Sequence, residues 1–165
     1  MMSWSDRTRE EQALLNPCFC STLLWRAASG YSSVGGGSLS FEESFLILPF
    51  VLHRDTRELL PRSWKTSMPV WLGDNPMTLR RISTKARLLV PITKESLMFG
   101  GTHRLLRLEK GRVLPESGMK KTVEGSIRAS SDEVRECFNR SEFVGKWFAQ
   151  TGNAPTVLAL IGVRP

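Results

Sequence analysis

The sequence predicts an α+β fold, mainly α: a compact helical domain with one β-hairpin. Two observations point there. Helix-start signals recur along the chain, at Asn16-Pro17, Ser40 with Glu43, Asn75-Pro76 and Ser131-Asp132-Glu133. One stretch, His103 to Leu114, abandons the helical period and turns at Glu109-Lys110-Gly111. With 165 residues the chain suits a single domain over 1–165, its first ten or so residues flexible. A domain of that size hides about 70% of the surface its unfolded chain exposes.

Asn16 before Pro17 reads as an N-cap with proline at the first helical position. Phe19, Leu23, Leu24 and Ala27 then follow one helix face, and Gly30 is a natural stop. SSVGGGS around Gly35-Gly36-Gly37 reads as a flexible turn. Ser40 and Glu43 form a capping-box pattern, and the helix behind it is apolar nearly all round, so it belongs in the centre of the domain. Pro49 should kink that helix or remove one of its hydrogen bonds. Thr56 to Leu60 gives a short helical turn, and Trp64 to Leu72 a helix stopped by Gly73-Asp74.

From Asn75-Pro76, an apolar stripe of Leu79, Ile82, Ala86 and Leu89 leaves Arg80, Arg81, Lys85 and Arg87 mostly off it. Thr93 opens another helix, ended by Gly100-Gly101. The hairpin follows, with Gly111 at a positive-φ position of a three- or four-residue loop. Residues 116–130 read as a polar loop. Ser131 caps a helix that runs to Gln150 with a break near Ser141. Pro155 to Ile161, closed by Gly162, reads as a helix with strand as the alternative. A hairpin after short helices is how winged-helix domains are built, although many α+β domains share those parts.

Lys and Arg number 23 against 16 Asp and Glu, for a net +7. The excess is concentrated: residues 54–128 carry a net +9, the segment before them −2, and the segment after them zero. The longest apolar stretch, Phe45 to Leu52, is far shorter than the ~20 residues a membrane span needs. Three cysteines, with Cys18 and Cys20 one residue apart, do not form a disulfide framework. The expectation is a cytoplasmic protein, with no membrane partner.

No catalytic constellation emerges, and a non-enzyme without cofactor or metal is expected. Cys18, Cys20, Cys137 and the two histidines, His53 and His103, lack paired zinc-ligand spacing; buried thiols are the simpler reading. No phosphate loop and no G-x-S-x-G elbow occur. His53-Arg54-Asp55 matches a kinase tripeptide without its companion motifs. A hydrolase or nuclease lacks a carboxylate cluster. Four of the five tryptophans, Trp25, Trp64, Trp71 and Trp147, fall in expected helices and read as core or interface anchors; Trp4 precedes them.

What remains is the basic middle. Arg104, Arg107, Lys110 and Arg112 cluster on the hairpin and are the candidate nucleic-acid-binding residues, because clustered cations release counterions from phosphates. Strand alternation places Leu106 and Leu108 against the helices and Arg107 outward. A protein interface and a solvated face are the other two readings. A free-standing winged-helix DNA-binding regulator is a further possibility, with Thr78, Arg80 and Arg81 as its base-reading side chains.

Several stretches together resemble a known family: Glu11 to Cys20, Leu24 to Tyr31, Leu48 to Arg62, Phe99-Gly100-Gly101, Lys146 to Asn153 and Leu160 to Pro165. They are similar to the middle-component family of three-component ABC ATPase systems, with Lamassu-type anti-phage defence complexes as close relatives. The resemblance implies a small non-enzymatic adaptor that couples an SMC/RecN-like coiled-coil ABC ATPase to an effector protein such as a nuclease. DNA contact through the complex would fit the basic segment. The resemblance carries no catalytic residues.

Overall fold

The computed structural model describes residues 8–35 and 37–164. The first seven residues, Trp4 among them, lie outside the described residues, as does Gly36 of the glycine run. The protein is 72% helical, with a three-stranded antiparallel sheet.

Helix α1 (Arg9–Leu14) leads into α2 (Pro17–Ser33), which Asn16 caps by accepting the Cys18 amide at 2.8 Å. A two-residue strand β1 (Leu39–Ser40) precedes α3 (Phe41–Val51). The expected capping box is formed: Ser40 Oγ accepts the Glu43 amide and Glu43 Oε2 accepts the Ser40 amide, both at 3.0 Å. Helix α3 runs unbroken through Pro49 and sits in the core, with Leu46, Ile47, Leu48, Phe50 and Val51 buried.

Short helices α4 (Arg54–Leu59) and α5 (Met68–Asp74) follow. Trp64 precedes α5 rather than opening it, and Gly73 and Asp74 form its last turn rather than a stop. Helices α6 (Pro76–Leu88) and α7 (Val90–Thr102) are joined through the buried Leu89. Pro91 sits in the first turn of α7, so that helix opens ahead of the expected Thr93.

Helix α7 also runs past its expected glycine stop. It ends in a Schellman motif in which the Leu105 amide donates to Gly100 O (2.8 Å) and the Arg104 amide to Gly101 O (3.3 Å). Arg104, at φ 56°, occupies the left-handed position where glycine is usual. Gly100 is small for another reason: a Cβ there would meet Leu106 Cδ1 at 2.8 Å.

Strands β2 (Leu106–Glu109) and β3 (Arg112–Pro115) form the hairpin, with Leu108 opposite Val113 and Glu109 opposite Arg112. The loop is two residues, not three or four. Lys110 (φ 49°) and Gly111 (φ 72°) are both left-handed, as a type I′ turn requires. β1 pairs with β3, giving the order β1-β3-β2, a third strand the sequence did not announce.

Residues 116–130 are not a loop. A 3₁₀ turn (Ser117–Met119) opens α8 (Lys120–Arg128), whose one buried residue is Val123. Helix α9 (Asp132–Thr151), capped by Ser131, continues without a break at Ser141. Helix α10 (Ala154–Ile161) ends at Gly162 (φ 75°) in a second Schellman motif.

The core is built on the α2–α9 pair. Gly30 does not end α2; it lies inside the helix against the backbone of Glu142, and Gly145 of α9 lies against the backbone of Ala27. A Cβ at either glycine would overlap a carbonyl oxygen of the facing helix. Ser141, where a break was expected, donates its hydroxyl to Leu23 O at 2.5 Å, which ties it to α2. Glu142 joins Arg26 (2.6 Å) and Lys146 (2.7 Å) beside this seam.

Three tryptophans fill the remaining core, and each buried indole N–H donates to a carbonyl: Trp147 to Thr66 (2.7 Å), Trp71 to Leu59 (3.0 Å) and Trp25 to Glu116 (3.2 Å). Trp64 is half-buried beside them, packed against the core.

Candidate interaction surfaces

The Leu48 to Arg62 stretch turns out to be architectural. Arg57, 3% exposed, donates from Nη1 to the Val51 (2.8 Å) and Leu52 (3.1 Å) carbonyls at the C-terminus of α3, and from Nη2 to Glu133 (3.4 Å). A guanidinium suits this place because it meets the negative end of the helix dipole with several donors. Asp55 faces Arg81 (3.3 Å) and Lys85 (3.8 Å) on α6. Burial pushes the Asp55 carboxyl up, but Lys85, the Thr56 amide, His53 and Arg81 outweigh it and leave it below its ordinary value. His53 is held below its ordinary value by burial and by Lys85. The His-Arg-Asp tripeptide therefore joins α3, α4 and α6.

Two of the α6 cations thus share one carboxylate, and Thr78 is buried. The helix does not present the base-reading set that a DNA-binding regulator would need from Thr78, Arg80 and Arg81. His103 stacks on Phe99, ring centroids 3.9 Å apart, with Nδ1 2.9 Å from Phe99 O at the end of α7. Cys20 and Cys137 are buried as expected, and burial raises the Cys137 thiol; Cys18 is exposed, against expectation. Among the described residues no group of His, Cys, Asp and Glu could hold a metal ion, and no helix is long and apolar enough to cross a membrane.

All four candidate nucleic-acid-binding residues are exposed, but they differ. Arg107 Nε lies 3.7 Å from Glu109 and 3.8 Å from Glu116. Arg112 Nη1 donates to Ser38 O at 3.1 Å and so fastens β3 to the chain entering β1. The Phe41 amide donates to Gly111 O (2.8 Å), which docks α3 onto the hairpin turn. Behind this junction Glu43 is fully buried, its Oε1 without a hydrogen-bond partner. Burial raises its carboxyl; Ser40 and Arg112 oppose the shift without cancelling it.

Arg104 and Lys110 remain, one at each end of β2. Both have positive φ, and neither has an ion-pair partner among the described residues. Of the two hairpin leucines expected to pack inward, Leu106 is 2% exposed and Leu108, on the edge strand β2, is 47% exposed, although its partner Val113 is fully buried.

The surface that sequence reasoning missed is a trough formed by the start of α3, the α6–α7 junction and α10. One lobe, about 280 Å³, is walled by Phe41, Phe45, Leu46, Ala86, Val90, Leu158 and Val163. A second, about 700 Å³, continues past Pro155 and Ala159 and shares Leu158, Val163, Glu42 and Arg164 with the first. Arg87, Lys94 and Arg164 stand exposed along it, none with an ion-pair partner among the described residues. Glu42 is the one carboxylate lining it among the described residues. Met98, 73% exposed, continues the Lys94 face of α7 one turn on.

The family model for Middle Component 3 of ABC-three component (ABC-3C) systems matches residues 4–165. The chain belongs to that family. No curated protein and no solved structure matches it at a significant level. The middle component is therefore a subunit of a multi-component ABC ATPase system. Four of the six stretches that carry the sequence resemblance lie on architectural features: the Gly30 seam, the Arg57 cap of α3, the Gly100 contact with Leu106, and the Trp147 anchor.

Proposed function

We propose that this middle component is a non-enzymatic adaptor. It couples an SMC/RecN-like coiled-coil ABC ATPase to an effector protein, such as a nuclease, in a cytoplasmic prokaryotic anti-phage complex. The observation that carries the reading is the family match over nearly the whole chain. The surface supports it: most of the family-signature stretches build the frame, the last of them supplies Val163 and Arg164 to the apolar trough, and the trough and the hairpin ends are left open. Arg104 and Lys110, exposed and without an ion-pair partner among the described residues, are the hairpin cations that contact DNA when the complex meets it. Such contacts go to phosphates and carry no sequence choice.

DNA binding by the assembled complex tests the hairpin part. Arg104→Glu with Lys110→Glu should weaken binding and reduce the log–log salt slope by about one unit per contact removed, while assembly persists. Loss of assembly with the isolated chain still folded would make the hairpin a protein interface, and no change in either would make it a solvated face. The isolated chain should show no saturable ATP binding by calorimetry; saturable binding would overturn the non-enzymatic reading.

A further inference from the structure

We infer that the trough along α10, α3 and the α6–α7 junction is the docking site for an acidic amphipathic helix of the ABC ATPase component. The inference rests on the adaptor reading and deepens it by naming the surface and the chemistry of what fills it.

The walls decide the class of occupant. Phe41, Phe45, Val90, Leu158 and Val163 give the first lobe almost wholly apolar walls. Small-molecule sites place a few convergent polar groups to orient their ligand; here the three cations are exposed and come from separate elements, α6, α7 and the chain after α10. Apolar side chains of another polypeptide fit such walls, and a polar metabolite does not. The two lobes share a side of Leu158 and Val163 and so form one continuous depression. Successive apolar side chains at i, i+3, i+4 and i+7 of a helix occupy that shape.

The charges decide the sign. Arg87, Lys94 and Arg164 against Glu42 leave the trough with a net surplus of two positive charges, and none of the three cations is neutralised within the described residues. A helix with acidic residues flanking its apolar stripe meets both features. Complementary charge also speeds encounter and fixes register. The trough adjoins the hairpin turn through the Phe41 amide and Gly111 O, but none of the four hairpin cations lines it, and Arg107 and Arg112 are already engaged.

The test is co-purification of the full-length chain with its system's ATPase, using wild type, Arg87→Glu with Lys94→Glu, and Arg104→Glu with Lys110→Glu. Circular dichroism confirms that each variant is folded. The trough variant should bind the ATPase at least tenfold more weakly, with a reduced dependence on salt, and the hairpin variant should bind as wild type. A photo-crosslinker at Val90 should then label an ATPase helix with acidic residues beside its apolar stripe, and reversing those acids to lysine should restore binding to the trough variant. A folded trough variant that binds at wild-type strength overturns the inference while leaving the adaptor reading standing, and so does labelling of the effector instead of the ATPase. Failure of the wild-type chain to bind the ATPase at all overturns the adaptor reading itself.

Discussion

The α2–α9 seam and the α3–α6–α7–α10 trough are both places where helices meet, and they are finished in opposite ways. At the seam Gly30 and Gly145 let the backbones touch, Ser141 spends its hydroxyl on a carbonyl of the facing helix, and Glu142 is paired twice. In the trough, apolar side chains line open space and three cations have no ion-pair partner among the described residues. The difference separates what holds this molecule together from what it offers outward. An exposed apolar depression with charged edges is the usual mark of an interaction site.

The largest effect should come from filling the seam. Gly145→Ala places a Cβ into the Ala27 carbonyl, where only backbone can move. Overpacking of this kind costs about 3 kcal/mol or more where nothing relaxes. Thermal melting of the variant should show a large drop in Tm or failure to fold; a Tm near wild type would mean the helices are not in that contact. The trough gives the opposite expectation. Arg87→Glu with Lys94→Glu should change stability by about 0.5 kcal/mol or less per site, checked by urea denaturation, because these exposed side chains make no ion pair among the described residues.

Glu43, fully buried at the start of α3, gives a test that depends on pH. Its carboxyl is raised above the ordinary 4.5 by burial, so the native state holds the proton more tightly than the unfolded chain does. Its contribution is therefore fully present below that value and is lost as pH rises through the raised one. Glu43→Gln keeps an oxygen for the Ser40 amide and removes the ionisation. The variant should gain stability relative to wild type as pH rises above 4.5, and the two should converge at lower pH. A difference that does not change with pH would show that Glu43 is charged in the folded protein.

The helix starts were legible because caps are local: Asn16, Ser40 and Ser131 each satisfy an amide two or three residues away. The hairpin was legible from Gly111 and the alternation on either side of it. The glycines inside helices were not. Gly30 and Gly100 look like stops in one dimension, and the reason for their small size is a neighbour over 100 residues away in the first case and a side chain across a turn in the second. Helix α8 was missed although Met119, Val123 and Ile127 recur every four residues and pack on the core, because the polar residues and glycines between them hide so short a stripe. Among the four hairpin cations, sequence could find the cluster but not its sorting, since the partners of Arg107 and Arg112 depend on the sheet. The trough was invisible because its walls come from four helices, each of which reads as ordinary core.

The most direct test of the adaptor account is native mass spectrometry of the ABC ATPase and the effector, co-expressed with and without this chain. The account predicts one assembly containing all three proteins when the chain is present, and separate ATPase and effector when it is omitted. An ATPase–effector complex that forms equally well without the chain would contradict it.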